Sequence, residues 1–250
     1  MFAVAAEAYD RFMGKYSALL APQFGDFAGV AAGQRVLDVG CGPGALTGEL
    51  VRRLGPAAVC AVDPSEPFVA AAKERHVGVD VRLGSAERLP FRDDEFDGAL
   101  GQLVVHFMSD PAEGLREMAR VTRRGGVVAA CVWDHTGGEG PLSAFWAAAR
   151  ELDPEAGDES SLAGTREGHL AELFEEAGLN DVEQTALSVA IEHASFDEWW
   201  EPFTFGVGPA GAYVARLDPE ERVRLRERCR AALHATPTVT ARAWAARGLA

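Results

Sequence analysis

A short apolar run, Val36-Leu37-Asp38-Val39, breaks off at Gly40-Cys41-Gly42-Pro43-Gly44 and gives way to a helical pattern over Ala45–Leu54. A β-branched run stopped by glycines suits a buried strand that turns directly into a helix. Glycine takes positive φ and lets a ligand approach the backbone, and the new helix presents N–H groups that have no intrahelical acceptor. The chain around this turn keeps the same rhythm. From Gln34 to about Asp134, short β-rich runs alternate with helix-period segments, the pattern of βαβ units around a parallel sheet. Strands are expected at Arg35–Val39, Ala57–Val62, Val79–Leu83, Phe96–Leu103 and Gly126–Trp133. Asp110 followed by Pro111 opens a helix with Leu115, Met118, Ala119 and Thr122 on one face, expected to end at Arg123–Gly126.

Beyond Trp133 come Gly- and acid-rich loops, then a helix carrying Leu170, Leu173, Phe174 and Ala177, closed by Gly178, then a strand near Val182–Ile191. Ser195–Leu233 reads as helical, with the aromatic cluster Phe196, Trp199, Trp200, Phe203 and Phe205, and with a last helix opened by Asp218-Pro219. Thr238–Ala245 alternates as a final strand. With 250 residues, 48% of them hydrophobic, one large α/β domain or two small ones can bury a real core. The formal charge of −14 argues against a surface that tracks nucleic-acid phosphates. Cys41, Cys60, Cys131 and Cys229 stand far apart, which offers no recognisable zinc site and suits a reduced compartment, the cytoplasm. No window approaches a membrane span, and Glu7, Asp10, Arg11 and Lys15 interrupt any secretory signal, so a soluble, unprocessed protein is expected.

The glycine turn points to an adenosine cofactor. Gly40-x-Gly42-x-x-Ala45 fits the dinucleotide fingerprint, and Asp63, at the end of the second strand, stands where a carboxylate binds ribose hydroxyls. That much does not separate a nicotinamide from another adenosine ligand. Asp38 does so better: a carboxylate two residues before the first glycine would repel a pyrophosphate and attract an ammonium. S-adenosylmethionine carries an ammonium for Asp38, a carboxylate for the helix N-terminus and a ribose for Asp63.

These residues resemble the class I S-adenosylmethionine-dependent methyltransferases, in particular the small bacterial enzymes related to the ubiquinone/menaquinone C-methyltransferases. The resemblance runs from Tyr9 to Asp134, through Asp38–Gly44, Val62-Asp63-Pro64-Ser65, Gly84-Ser85-Ala86-Glu87-Arg88-Leu89-Pro90-Phe91, Phe96-Asp97, His106 and Arg123–Gly126. It implies a Rossmann-like, seven-stranded, mostly parallel sheet with helices on both faces and the last strand antiparallel, plus a helical lid. It also implies one methyltransferase domain over residues 1–250. Within it, 1–33 is an N-terminal helical cover, 34–134 the cofactor-binding core, and 195–233 a helical lid inserted before the last strand. By the same resemblance the cofactor contacts are Tyr9, Tyr16, Asp38, Gly40, Cys41, Gly42, Gly44, Asp63, Pro64, Ser85, Ala86, Glu87 and Gln102. Family members usually have Asp where this chain has Ser85, which shifts adenine recognition toward the Ala86 backbone and Glu87.

Candidate proton acceptors follow the fourth and fifth strands: His106, then Asp134 and His135, with His106 favoured. Trp199, Trp200 and Phe203 are expected to line the acceptor site, ordinary core packing being the competing explanation. No metal is expected. After the fourth strand, Leu100-Gly101-Gln102-Leu103 lacks the Asn/Asp-Pro-Pro-aromatic signature of DNA amine methylation, and no Pro-Cys pair exists for cytosine methylation. A small-molecule acceptor, methylated on O, N or C, is the reading that remains. An NAD(P)-dependent oxidoreductase and a non-catalytic adenosine-ligand binder of the same fold are the competitors, and oligomeric state is left open.

Overall fold

The computed structural model describes residues 6–233 and 235–250. A helical segment comes first, made of α1 (Ala6–Tyr9), a π-helical turn (Asp10–Gly14) and α2 (Lys15–Phe27). The expected βαβ succession follows: β1 (Val36–Val39), α3 (Ala45–Leu54), β2 (Val59–Asp63), α4 (Glu66–Arg75), β3 (Asp80–Leu83), β4 (Phe96–Gln102), α5 (Pro111–Val121) and β5 (Thr122–Trp133). The remainder is α6 (Ser143–Leu152), α7 (His169–Glu176), β6 (Asn180–Glu192), α8 (Phe196–Trp200), α9 (Gly208–Arg216), α10 (Pro219–Ala232) and β7 (Thr238–Leu249).

The seven strands form one sheet in the order β3-β2-β1-β4-β5-β7-β6, parallel except for β7, which runs antiparallel to both neighbours. The strand order reverses between β1 and β4, so the carboxyl ends of β1, β2 and β4 flank a crevice. Alternate residues of each buried strand face opposite layers. Ala129, Cys131 and Trp133 of β5 pack with the N-terminal segment, α6 and the helices after β6, whereas Val128, Ala130 and Val132 pack with α5 and α7. The first layer is rich in aromatics, with Phe24, Phe145 and Phe203 fully buried, each stabilising the fold by about 1.5–3 kcal/mol. Both faces are thus covered by helices, as the alternation predicts.

Helix starts follow their local chemistry. Asp110 caps α5 by accepting from Glu113 N–H at 2.9 Å, and Asp218 with Glu221 forms a reciprocal capping box on α10. Two boundaries differ clearly from expectation: β7 runs on to Leu249, past the expected Ala245, and the junction of α5 with β5 falls early. The helix opened by Asp110 ends at Val121, and the chain enters β5 directly at Thr122, whose hydroxyl donates to Met118 O at 2.8 Å. Arg123 pairs with Asp97 at 2.5 Å instead of serving the helix C-terminus, and Gly125 (φ +74°) absorbs an irregularity in the β4–β5 register. Among the described residues, no helix is long and apolar enough to cross a membrane.

Candidate active site

A cleft opens at the carboxyl ends of β1, β2 and β4, lined by the glycine turn, Asp38, Asp63, Pro64, Ser85, Ala86, Glu87 and Gln102. Tyr9 of the N-terminal segment closes one side, edge-on to Phe68 at 5.5 Å, and burial raises its hydroxyl pKa. The turn is built by backbone bonds. Gly40 and Cys41 N–H both donate to Val62 O, at 2.8 and 3.0 Å, and Gly42 N–H donates to Asp63 Oδ2 at 2.8 Å. Asp63 Oδ1 accepts from Ser65 N–H at 2.8 Å. Asp63 therefore ties the glycine turn to β2 while its remaining lone pairs face the cleft. Burial raises its pKa, and the two backbone donors oppose that shift.

Gly40 (φ +70°) is required on two counts: a Cβ there would lie 2.2 Å from Val104 Cγ2, in a conformation costly for side chains. Gly44 (φ +101°) stands at the N-cap of α3 without a side-chain cap, and the first-turn residues Ala45 and Leu46 line the cleft. Gly44 itself does not line the cleft; its carbonyl accepts from His76 Nε2 at 2.9 Å. Arg75 donates to Pro43 O and pairs with Asp10, which fastens the N-terminal segment to the turn.

Asp38 is 1% exposed. Its Oδ2 accepts from Thr47 Oγ1 at 2.6 Å, and its Oδ1 has no partner among the described residues. Burial pushes its pKa up to about 7, the Thr47 hydroxyl opposing. Gln102 Nε2 donates to Ser17 O at 3.0 Å, leaving Gln102 Oε1 buried and unpartnered in the same cleft. Two buried acceptors without donors, a helix N-terminus and a second carboxylate across the turn match a ligand that carries a cation, an anion and a diol.

Residues 37–130 match a family described as a methyltransferase domain. Over 150 residues, 59% of its length, the chain is 35% identical to 2-methyl-6-phytyl-1,4-hydroquinone methyltransferase 2 of Oryza sativa subsp. japonica, of which it covers 39%. Malonyl-[acyl-carrier protein] O-methyltransferase of Erwinia billingiae is 35% identical over 127 residues, 51% of the chain and 49% of that relative. The chain thus spans less than half the length of either. Among solved structures, the YcgJ protein of Bacillus subtilis superposes with TM-score 0.60 at 20% identity, over 94% of this chain and 98% of the other. A phosphoethanolamine N-methyltransferase of Haemonchus contortus, solved with S-adenosylhomocysteine, superposes with TM-score 0.58 at 17% identity, over 98% and 56%. At such identities these two establish the shared fold.

The remaining candidates fall into two groups. At the end of β3, Ser85 bridges to Arg88, and Glu87 Oε1 accepts from both Ser109 N–H and Oγ at 2.8 Å, so Glu87 holds the turn before α5 as well as lining the cleft. Tyr16 lies outside the cleft, in a neighbouring cavity with Trp199 and Phe203, while Trp200 packs into the aromatic layer against Phe196 and Phe203. His106 is buried behind the cleft wall, 6.0 Å from His135 between ring centres, and burial pushes it down to about 3. His135 is likewise pushed down, to about 4, by burial. Asp134 is engaged on both oxygens, Oδ1 by Gly137 N–H at 2.7 Å and Oδ2 by Arg242 at 2.6 Å. An imidazole that resists protonation and a carboxylate already paired are weak proton acceptors.

Sequence reasoning missed Ser17, Leu103 and Val104 in the cleft wall. Leu103 sits at φ +60°, a strained setting for a branched side chain, and its N–H donates to Cys131 O at 2.8 Å. A leucine ending a strand carries no signal for this.

Proposed function

We propose that the protein is an enzyme that transfers a methyl group from S-adenosylmethionine to a small-molecule acceptor. The observation that carries this is Asp38: a carboxylate 1% exposed, with one oxygen unpartnered, facing a cleft at the sheet's switch point. A buried anion of this kind suits an ammonium and opposes a pyrophosphate, which disfavours the nicotinamide alternative. In this reading Asp38 and Gln102 Oε1 take the ammonium, the Ala45 and Leu46 amides the carboxylate, Asp63 the ribose, and Ser85 to Glu87 the adenine.

The cofactor supplies an electrophilic methyl on a positive sulfur that is its own leaving group. What the chain must add is alignment of the acceptor and exclusion of water, and positioning of this kind can contribute on the order of 7–11 kcal/mol without a strong base. Residues 34–134 act as the cofactor core, the N-terminal segment to residue 33 as its cover and 195–233 as the lid, within one domain. Residues 1–5 of the cover and His234 lie outside the described residues. A small acceptor is supported by the acidic charge of −14 and by the relative named for a hydroquinone. The four cysteines, all buried and unpaired, suit a reducing compartment such as the cytoplasm.

Calorimetry with S-adenosylmethionine, S-adenosylhomocysteine and NAD tests the cofactor, with the first two expected to bind and NAD to bind far more weakly. Tighter binding of NAD would end the reading. Methylated product from a panel of phenol, amine and activated-carbon acceptors separates an enzyme from a non-catalytic binder.

A further inference from the structure

Beside the cofactor cleft lies a second, smaller cavity with apolar walls that include Phe12, Leu142, Trp199 and Phe203, with Tyr16 and His193 as its buried polar groups, and with the exposed cations Arg11 and Lys15 also lining it, each paired with a glutamate. The Tyr16 hydroxyl is 3.3 Å from His193 Nε2, the two residues are 4% and 7% exposed, and among the described residues His193 Nδ1 has no hydrogen-bond partner. An unmet buried ring nitrogen costs free energy, which a ligand's polar group can recover. The place is also right. His193 directly follows β6, at the same carboxyl edge as Gln102 and Trp133. The Tyr16 ring meets Trp133 edge-on at 6.3 Å, and the next residue, Ser17, belongs to the cofactor cleft.

Resting on the methyltransferase reading, we infer that this cavity is the acceptor subsite, and that Tyr16 and His193 recognise a neutral hydroxyl on an apolar, ring-sized acceptor. Burial raises the Tyr16 pKa and lowers that of His193, so both are uncharged at neutral pH. The cations that line the cavity, Arg11 and Lys15, are already neutralised by Glu201 and Glu198, so an uncharged, desolvated pair favours a neutral hydrogen-bonding group over a carboxylate or ammonium, whose burial without a free counter-charge is costly. The surrounding rings supply apolar contact for the body of such a ligand.

Size sets a condition. The cavity measures about 20 Å³, room for one water and not for a ring. A ring enters only when the N-terminal segment parts from the Phe196–Phe205 stretch. The polar ties across that seam are Arg11–Glu201 and Lys15–Glu198, each 2.7 Å and solvent-exposed, and such pairs contribute little. Behind them Phe12 meets Phe203 edge-on at 5.3 Å, a contact that an entering ring would replace in kind. The π-helical turn Asp10–Gly14 lies on the moving side, and such turns are frequent where helices flex for function.

The test is calorimetric titration of the protein, free and saturated with S-adenosylhomocysteine, with 4-propylphenol and with its methyl ether. The phenol is expected to bind about tenfold tighter than the ether. Tyr16→Phe and His193→Asn should each weaken the phenol roughly three- to tenfold, leave the ether unchanged and leave S-adenosylhomocysteine affinity as it was. Equal affinity for phenol and ether in the wild-type protein overturns the proposal and needs no variant. So does phenol binding that is indifferent to both substitutions in variants that circular dichroism shows to be folded. Failure of S-adenosylhomocysteine to bind would instead overturn the cofactor reading, while the titration of the free protein would still decide the cavity.

Discussion

Replacing Asp38 by asparagine should stabilise the ligand-free protein and weaken its cofactor, two opposite effects from one atom. Folding raises the Asp38 pKa from 3.8 to about 7, burial being the main cause. Between those values the folded state holds a proton that the unfolded chain has released. Stability from this group is therefore full below pH 3.8 and is lost as pH rises to about 7. The difference is ~4 kcal/mol at most, at 1.36 kcal/mol per unit. The introduced amide cannot ionise and its oxygen still accepts from Thr47, so the variant should gain up to ~4 kcal/mol over wild type at pH 8 and almost nothing at pH 4. Cofactor binding runs the other way. An ammonium needs the ionised form, whose fraction rises about tenfold between pH 6 and pH 8, so wild-type affinity should rise about tenfold over that range. In Asp38→Asn the slope should vanish, with affinity at pH 8 lower by roughly 10- to 150-fold for the lost charge-assisted bond. Urea unfolding and calorimetry at pH 6, 7 and 8 read both effects. A variant that keeps the wild-type pH slope, or gains no stability at pH 8, would refute the assignment of Asp38 as the ammonium site.

Gly40→Ala drives a Cβ to 2.2 Å from Val104 Cγ2 at φ +70°, so chemical denaturation should show a loss of about 1–3 kcal/mol together with loss of S-adenosylhomocysteine binding. Asp63→Ala removes the ribose acceptor and also the anchor of Gly42 N–H, so cofactor affinity should fall by more than the roughly tenfold of one charged hydrogen bond, with faster hydrogen exchange at Gly42. His106→Asn should leave turnover within about threefold, because a ring pushed down to about 3 is a poor proton acceptor at neutral pH. His106, kept neutral by burial, contributes stability above pH 6.5 that is lost as pH falls toward 3, so the variant's melting midpoint should drop less than wild type between pH 7 and pH 5. A hundredfold fall in turnover would restore His106 as the base.

The strands and the glycine turn were legible because their signals are local. Val36–Val39 ends where Gly40 demands a positive φ, and α3 occupies Ala45–Leu54 as the periodicity requires. That Asp38, Asp63 and Gln102 line one cleft was legible for a topological reason, since residues at the carboxyl ends of parallel strands near a switch point share one crevice. What failed to show was anything decided by a partner distant in sequence. Asp134 reads as a candidate proton acceptor until Arg242, from β7, takes its oxygen. Tyr16 reads as a cofactor contact until the rotation of α2 turns it toward His193 and leaves Ser17 in the cleft. The end of α5 was misjudged because Arg123 and Arg124 are good helix terminators, yet pairing of Thr122 with Phe96 outcompetes one more helical turn.

The insertion of β7 between β5 and β6 imposes an order of events on the growing chain. As it leaves the ribosome, everything through β5 can assemble, because β1 to β4 find all their strand partners among β1 to β5. β6 then emerges with no strand to join: its partner along Asn180–Glu192 is β7, not yet made, and the outer edge of β5 waits for the same strand. Two unsatisfied strand edges, one flanking a finished half-sheet and one on a thirteen-residue ribbon, must therefore persist while the helices from Phe196 to Ala232 are synthesised. Nascent chains halted before Thr238 should hold a protease-resistant core ending near Trp133 and should bind chaperones through the bare β5 edge, until the arrival of Thr238–Leu249 seals both edges in one step.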